Sequence, residues 1–397
     1  MITGRDIIIV GQQPWDVEIG SNCKNIALEF SKHNRVLYVN SALDRVSLMK
    51  GSSDPKILKR NNIIKHKELG LVQINSSMWN LYPDTIIESI NWIKIHSLFK
   101  FLNRINNERF AKSILSAVQE LGFTNYILFN DNDLFRSFHL KELLKPILTV
   151  YYSRDYMLAV DYWKRHGEKL EPKLIADSDV CVANSTYLAD YCRKFNPHSY
   201  YVGQGCELDL FTNFASTKLP SDVQRIPGLK IGYVGALSGM RLDISLLLDI
   251  AKAKPNWSIL LVGPEDEMFL TSELHDLSNV YFLGAKSPSL LPDYIQAFDI
   301  CLNPQVVSQV TIGNYPRKID EYLAMGKPVV ATSTPFMEAV FSNHTYLAKT
   351  VPEYIHLIEK AQTENNIERV NSRRAFASTH TWENSVAEIY KAILKHL

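Results

Sequence analysis

The stretch IGNYPRKIDEYLAMGKPVVATSTP, from Ile312 to Pro335, predicts a helix that leads into a buried strand. Proline is favoured at the first position of a helix and glycine just after its end, so Pro316 and Gly326 suit the two ends. The apolar positions between them recur at helical spacing: Ile319, Tyr322, Leu323 and Met325. Val329 to Ala331 then forms a short apolar run that is typical of a buried strand. A helix that feeds a sheet indicates an α/β fold.

Two charged residues of this helix, Lys318 and Glu321, lie three positions apart and therefore on one helical face. They are close to a helix N-terminus, whose free backbone amides favour anions. Such a face suits a diphosphate and a hydroxyl-rich sugar, and a nucleotide-sugar contains both. The same spacing is also typical of an ordinary amphipathic helix with a solvated Lys/Glu pair.

This run resembles the donor-binding segment of the glycosyltransferase family 4 enzymes, in which Pro-x-Lys-x-x-Glu-Tyr-Leu-Ala-x-Gly-Lys-Pro-Val-Val precedes a buried strand. The matching residues are Pro316, Lys318, Glu321, Tyr322, Leu323, Ala324, Gly326, Lys327, Pro328, Val329 and Val330. The resemblance implies that Glu321 accepts hydrogen bonds from the ribose hydroxyls of the donor. The chain departs from the family at Gly313, where many members carry a glutamate that contacts the transferred sugar.

Length and charge limit the class of protein. A chain of 397 residues is long for one domain, so two globular domains are expected. With 43 basic and 42 acidic residues the chain has no global field to attract nucleic acid, and no nucleic-acid partner is expected. No run is typical of a signal peptide or of a membrane-spanning helix, and no two of the five cysteines form a Cys-x-x-Cys pair. These features predict a cytoplasmic protein with reduced thiols.

Alternating strands and helices predict a first Rossmann-like domain over residues 1–212. Its first strand, Ile7 to Val10, runs into a glycine-containing loop, and ligands bind at such loops in doubly wound sheets. The family resemblance assigns Gly20 of this loop to the donor site, in a cleft between two domains.

Asp155 follows a later predicted strand, Ile147 to Tyr151. It resembles the aspartate of the family's acceptor-side loop, which implies that it orients the acceptor hydroxyl. An ion pair with Arg154 or a helix cap are the alternatives. A second acidic loop carries Asp131 and Asp133, a spacing that suits a divalent cation but is more typical of caps and turns. No metal is expected, because the family that the chain resembles requires none.

The segment from Thr85 to Leu115 predicts an amphipathic helix. Apolar residues fall on one side and basic residues are interleaved: Trp92, Ile95, Phe99 and Leu102, with Lys94, Lys100 and Arg104. Basic amphipathic helices with aromatic anchors bind anionic bilayers, whereas an aromatic stripe is also typical of packed core. Peripheral contact with the inner face of the cell membrane is therefore one of two hypotheses for this segment.

Residues 213–380 predict a second Rossmann-like domain, and the last helix, within 381–397, is expected to pack back on the first domain. The loop from Gly235 to Arg241 follows the strand that opens this second domain. In the family this loop supplies a cation to the donor diphosphate, and Arg241 lies at the spacing of the usual lysine. Another basic position of the family is Ala236 here. A solvated loop arginine is the alternative reading.

Three further residues are assigned to the donor site by the resemblance. The backbone after Gly284 faces the nucleobase in family members, which makes Ala285 and Lys286 candidates for the base pocket. Asn314 ends a loop, beginning at Val306, that is expected to cover the donor.

The resemblance as a whole implies the GT-B fold, in which two Rossmann-like domains face each other across a cleft, and sugar transfer with retention. Arg241 and Lys318 would stabilise the leaving diphosphate, so they are the catalytic candidates together with Asp155. The expected substrates are a nucleotide-diphospho-sugar, with UDP-sugar favoured, and a surface polysaccharide or lipid-linked glycan acceptor.

Two other functions stay open. A non-catalytic GT-B scaffold would explain the departures at Gly313 and Ala236. A GT-B sugar epimerase would need catalytic carboxylates and histidines that the sequence does not assign.

Overall fold

A computed structural model of the chain describes residues 1–17, 21–51, 53–212, 214 and 219–397. The chain divides into two compact units. The first unit comprises Met1–Gly203 and Trp382–Leu397, and the second unit comprises Gln204–Thr381.

The strands of the described residues are β1 Asp6–Gly11, β2 Arg35–Val39, β3 Leu43–Asp44, β4 Leu71–Asn75, β5 Met78–Leu81, β6 Ile86–Ile87, β7 Ile127–Asp131, β8 Leu148–Ser153, β9 Val180–Ala183, β10 Ser199–Tyr201, β11 Leu229–Val234, β12 Trp257–Val262, β13 Val280–Gly284, β14 Ile300–Asn303, β15 Val329–Thr332 and β16 Tyr346–Ala348.

The α-helices are α1 Asn22–Ser31, α2 Arg45–Lys50, α3 Pro55–Ile64, α4 His96–Leu121, α5 Leu140–Leu144, α6 Asp161–Asp177, α7 Thr186–Arg193, α8 Asp209–Thr212, α9 Ile244–Ala253, α10 Glu267–Leu270, α11 Leu291–Ala297, α12 Arg317–Ala324, α13 Pro335–Val340, α14 Val351–Glu364, α15 Ile367–Ala377 and α16 Trp382–Leu394. Short 3-10 helices lie at Met157–Ala159, Glu273–Asp276 and Pro288–Leu290.

The first unit is built on a sheet of strand order β10-β9-β8-β7-β1-β2-β5-β4. The pairs are parallel except for β4 with β5, which is antiparallel. The strands are buried as near-continuous apolar runs, as in a parallel sheet covered on both faces. The strand order reverses between β1 and β7, so this is the position at which doubly wound sheets bind ligands.

The last helix, α16, belongs to the core of the first unit. Its apolar face, which includes Ile389 and Tyr390, joins the cluster that contains Phe30 of α1. The rings of Phe30 and Tyr390 lie 5.3 Å apart, and the Tyr390 hydroxyl accepts a 2.9 Å hydrogen bond from the buried amide of Asn34.

The second unit contains one parallel sheet of order β13-β12-β11-β14-β15-β16. Counted from its own first strand, this order is 3-2-1-4-5-6, the doubly wound order of dinucleotide-binding proteins. The prediction of an α/β fold with two Rossmann-like sheets is confirmed. The order reverses between β11 and β14, so the loops after these two strands lie where ligands are expected.

The division between the units falls at Gly203/Gln204, before the predicted boundary at 212/213. The reason is packing, because Cys206, Leu208 and Phe211 join the apolar cluster of the second unit, which also contains Ile319. The second division, at Thr381/Trp382, lies one residue after the predicted end of the second domain.

The segment from Thr85 to Leu115 is not one helix. Ile86–Ile87 pairs with Leu43–Asp44 as a short parallel sheet, and the helix α4 begins at His96. Trp92 therefore lies in the turn before the helix, and the predicted periodicity holds only from His96 onward. Among the described helices, none combines the length and the apolar character that crossing a bilayer requires.

Candidate functional site

Three strand-end loops of the second unit are joined by backbone hydrogen bonds. The amide of Gly235, after β11, donates to the carbonyl of Val262 at 2.9 Å, and the amide of Gly263 donates to the carbonyl of Gly284 at 3.0 Å. Gly263 has φ +155°, and a Cβ there would lie 1.8 Å from the carbonyl oxygen of Gly235. Only glycine permits this approach, so the loops after β11, β12 and β13 form one connected edge.

The backbone of Arg241 is held by two hydrogen bonds, whereas its side chain is exposed. Its amide donates to Ser238 at 2.9 Å, and its carbonyl accepts from the amide of Val306 at 2.9 Å. The guanidinium is exposed and makes no hydrogen bond or ion pair with the described part of the chain. An arginine without an internal partner is available to an external anion.

Lys318 and Glu321 form an ion pair on α12, with 3.1 Å between the Lys318 Nζ and the Glu321 Oε2. The Glu321 side chain is only 12% exposed. The helix begins at Arg317, one residue later than predicted, and Pro316 is its N-cap, without a side-chain hydrogen bond to the first turn. The Lys318 and Glu321 side chains share the first turns, as their spacing predicted.

Tyr233 of β11 lies next to the loop that carries Arg241. Its hydroxyl lies directly beneath Gly235, where a Cβ would approach it to 2.7 Å. Burial raises the pKa of Tyr233 to about 12, while the nearby Arg241 lowers the pKa and the nearby Glu321 raises it. The charges of both side chains therefore act on this tyrosine.

Tyr322 is a structural residue that the sequence presented only as part of an apolar stripe. The side chain is fully buried, and its hydroxyl accepts a 2.8 Å hydrogen bond from the amide of Val234, the last residue of β11. This contact fixes α12 against the strand that leads into the Gly235 loop. The motif lysine Lys327 is structural too, because its Nζ donates at 2.8 Å to the carbonyls of Gln296 and Phe298 at the C-terminal end of α11.

The Lys286 side chain is engaged within the unit. Its Nζ lies 2.9 Å from the Asp222 Oδ2 and 5.0 Å from the centre of the Tyr294 ring. The backbone of Ala285 and Lys286, rather than this ammonium group, is the part that remains available for a base. Gly284 before them has φ +70° and open space where a Cβ would lie.

Asn314 ends a loop that is organised by Thr311. The buried Thr311 hydroxyl accepts from the amide of Ser308 at 3.0 Å and donates to the carbonyl of Val306, while the amide of Asn314 donates to the Thr311 carbonyl at 3.0 Å. The loop from Val306 to Asn314 is thus a folded turn between β14 and α12.

Sequence reasoning gave no role to Asp320, yet this carboxylate is fully buried beside Glu321. It lies 2.6 Å from the His380 Nδ1 and accepts from the Cys206 thiol at 3.2 Å. Burial, followed by the charge of Asp320, raises the pKa of the Cys206 thiol. A partner so distant in sequence leaves no local signal, so this network becomes visible only in the structure.

In the first unit, Asp155 follows β8 and is partly exposed. Its Oδ2 lies 3.3 Å from Arg154 Nη1, and Arg154 Nε also donates at 2.9 Å to Asp131, which is fully buried. The side-chain oxygen of Asn132 accepts from the amides of Arg154 and Asp155 at 3.0 and 3.2 Å. The loop is therefore rigidly held and presents the Asp155 carboxylate.

The acidic loop is used within the protein. The Asp133 carboxylate accepts from the amides of Phe135 and Arg136, and Asp131 pairs with Arg154. The described residues contain no group of three or more histidine, cysteine or acidic side chains placed to hold a metal ion. The predicted donor residue Gly20 lies outside the described residues.

Residues 228–361 match the family described as Glycosyl transferases group 1. The matched segment covers about a third of the chain and lies within the second unit. The chain is also 30% identical, over 253 residues, to the Bacillus subtilis (strain 168) protein TuaH, whose name provisionally describes a teichuronic acid biosynthesis glycosyltransferase. That match covers 60% of this chain and 63% of TuaH, less than two thirds of the relative's length.

Solved structures with the same fold cover almost the whole chain. Sucrose-phosphate synthase from Thermosynechococcus elongatus has a TM-score of 0.68 at 13% identity and covers 98% of each chain. HepE of Anabaena, solved with UDP and glucose, has a TM-score of 0.63 at 15% identity and covers 98% of this chain and 100% of its own. The chain therefore has the GT-B fold, as the sequence predicted.

The Tyr322 hydroxyl can be tested without disturbing the packing. Tyr322→Phe leaves the buried amide of Val234 without a partner, so the second unit should lose about 1–3 kcal/mol of unfolding free energy and this amide should exchange faster. Hydrogen–deuterium exchange across a urea series measures both. Tyr346→Phe is the matched control, because its hydroxyl bonds to the partly exposed Glu364 and water can replace it. Equal protection of β11 in wild type and Tyr322→Phe would contradict the assigned role.

Proposed function

We propose that this protein is a retaining glycosyltransferase of family 4. In this proposal it transfers a sugar from a nucleotide-diphospho-sugar, with UDP-sugar as the favoured donor, to a growing surface polysaccharide or lipid-linked glycan at the cytoplasmic face of the membrane. The observation that carries the proposal is that the Arg241 loop, after β11, and the Lys318/Glu321 pair of α12, after β14, follow the two strands between which the strand order of the second sheet reverses, with α12 bonded to the end of β11 through Tyr322.

The charges of this site suit a diphosphate and a ribose. An unpaired guanidinium binds phosphate oxygens in a forked geometry, and Lys318 adds a second cation. The Glu321 carboxylate, with little exposure, is an acceptor for two ribose hydroxyls. The binding of UDP by HepE supports a uridine donor, and the name of TuaH supports a polysaccharide product.

The proposed reaction proceeds on the front face of the sugar. The acceptor oxygen forms a bond to the anomeric carbon as the bond from that carbon to the β-phosphate oxygen breaks, and the bonding electron pair leaves with the diphosphate. The acceptor proton passes to the departing phosphate oxygen. Arg241 and Lys318 stabilise the charge that the diphosphate gathers, and this role requires no metal ion in the proposed mechanism.

Asp155 is proposed to orient the acceptor. Its carboxylate extends from a loop that Asn132 and Arg154 hold, and it is partly exposed, so it can accept a hydrogen bond from an acceptor hydroxyl. Arg154 is shared between Asp155 and the buried Asp131, and this shared pairing holds the loop that carries Asp155.

Glu321→Ala tests the ribose contact. Loss of a charged acceptor of two hydroxyls should weaken binding of UDP about tenfold to a hundredfold, and Glu321→Gln should fall between wild type and alanine. Titration calorimetry with UDP measures the affinity. Glu359→Ala is the matched control. Glu359 lies on α14, and its replacement removes a surface ion pair with Lys254. The ribose assignment is wrong if UDP binds Glu321→Ala and wild type equally well.

Arg241→Ala separates an enzyme from a scaffold. Removing a group that stabilises the leaving diphosphate should lower kcat by about a hundredfold to a thousandfold, and Arg241→Lys should recover part of the rate. Release of UDP from UDP-sugar in the presence of acceptor glycan measures turnover, and Arg225→Ala is the control for loss of an exposed arginine in the same unit. Nucleotide binding by the wild type without any turnover would favour the non-catalytic scaffold, and an inverted product would exclude retention.

A further inference from the structure

Four large apolar side chains lie exposed within ten residues of the first unit. They form the apolar patch, defined as Trp92, Ile95, Leu98 and Phe101, with exposed fractions of 71%, 64%, 44% and 64%. Single exposed apolar residues are common on protein surfaces, but a contiguous group of them marks an interaction site. The patch occupies the turn before α4 and the first two turns of that helix.

The patch is not the stripe that the sequence predicted. Phe99 is fully buried and stacks at 3.7 Å on His166 of α6, and Leu102 packs against the same apolar cluster. These two predicted members belong to the core. Leu98 and Phe101, three residues apart and adjacent to the core positions, face outward with Ile95.

Trp92 presents an entirely apolar surface. Its indole Nε1 donates a 2.8 Å hydrogen bond to the carbonyl of Ser89, so its single polar group is satisfied within the protein. The rest of the ring has no polar group that could form a hydrogen bond with water, so it is suited to an apolar partner.

Basic residues lie in the same segment as the patch and on the neighbouring helix. Helix α6 packs against the turn before α4, since the His166 Nε2 lies 2.8 Å from the Ile93 carbonyl. The rings of His96 and His166 lie 5.9 Å apart, so the turns of α6 that carry Lys169 and Lys173, three and seven residues after His166, run beside the start of α4. Burial of His96, followed by the charges of Lys169, Lys100 and Lys173, lowers the pKa of this histidine, in agreement with this placement. The set of basic residues at the patch is Lys94, Lys100, Lys169 and Lys173.

None of these four lysines makes an ion pair or hydrogen bond with the described residues, and all four are exposed. Three acidic residues of α6 precede Lys173: the exposed Asp161, Glu168, which lies 3.8 Å from the Lys164 Nζ, and Glu171. Glu171 is buried and accepts hydrogen bonds from the Tyr151 and Tyr191 hydroxyls, so it is engaged within the core. The patch thus combines bulky apolar groups with unpaired positive charge, the composition of interfacial membrane anchors.

We propose that the apolar patch and its four lysines dock this protein on an anionic lipid bilayer. Charge complementarity favours a bilayer over a second copy of the chain, because two copies joined through this surface would bring unpaired lysines together. Apolar side chains enter the acyl boundary while lysines meet the phosphate headgroups.

The docking surface adjoins the Asp155 loop. Tyr156 packs in the same apolar cluster as Phe99, and the exposed Val160 and Tyr162 connect this loop to α6. A membrane held at the patch would present a lipid-linked acceptor on the same side of the first unit, a consequence that rests on the proposed function. Binding to the bilayer itself does not depend on catalysis.

Vesicle sedimentation tests the proposal with the full-length chain. Vesicles of phosphatidylcholine with about 30% phosphatidylglycerol should bind the protein, pure phosphatidylcholine should bind it far less, and added salt should weaken binding. Leu98→Ser with Phe101→Ser removes apolar anchors, and glutamine at Lys94, Lys100, Lys169 and Lys173 removes the charge. Each variant should bind anionic vesicles at least about tenfold more weakly than wild type.

Matched controls come from the rest of the surface. Leu270→Ser with Ile367→Ser removes equally exposed apolar residues of the second unit, and glutamine at Lys50, Lys56, Lys65 and Lys67 removes four lysines of another basic segment. Both should bind like wild type, and all variants should keep the wild-type melting temperature and UDP affinity.

The proposal is overturned if the patch variants bind vesicles like wild type, or if the control lysine variant loses binding instead. A change of oligomeric state in the patch variants with unchanged vesicle binding would also overturn it and identify a second copy as the occupant. Vesicle binding without UDP turnover would leave the docking surface intact and reject only the proposed enzyme function.

Discussion

The hydrogen bond from the Val234 amide to the Tyr322 hydroxyl holds the second unit's candidate site together. Strand β11 lies inside the six-stranded sheet, and its last residue, Val234, pairs with Val262 of β12. The buried tyrosine connects Val234 to α12, and the Gly235 loop continues from the same strand. Because an unpaired buried amide is costly, the sheet and the helix cannot shift apart without losing stability.

This constraint explains how the charges of the site are distributed. Lys327 donates hydrogen bonds to carbonyls at the end of α11, Lys286 forms an ion pair with Asp222, and Asp320 contacts His380. These charged groups therefore stabilise the folded unit. The Arg241 guanidinium makes no hydrogen bond or ion pair within the described residues, and the Lys318/Glu321 pair lies at the start of a helix without a capping side chain. Arg241 and the Lys318/Glu321 pair are the groups of this site that an anionic, hydroxyl-bearing ligand could use.

Local sequence signals predicted the features that depend on residues close together in the chain, such as helix ends and the alternation of strands and helices. The stripe that includes Tyr322 and the stop at Gly326 predicted α12 to within one residue, and alternating elements predicted two Rossmann-like sheets. The burial of Asp320 against His380 could not be predicted, since sixty residues separate the two. The start of the helix that carries most of the apolar patch was predicted too early in the chain, because Ile86–Ile87 forms a strand that pairs with Leu43–Asp44. Spacing alone also could not distinguish buried Phe99 from exposed Phe101.

The central claim is that a nucleoside diphosphate binds at the strand ends of the second unit, between the Gly235 loop and the first turn of α12. Hydrogen–deuterium exchange of the whole chain with and without saturating UDP tests it most directly. The account predicts slower exchange in 235–242, in 284–286 and in 317–321, because bound phosphates and ribose shield these amides and reduce their opening. Binding of UDP with no protection in these segments, or with protection confined to the first unit, would contradict it.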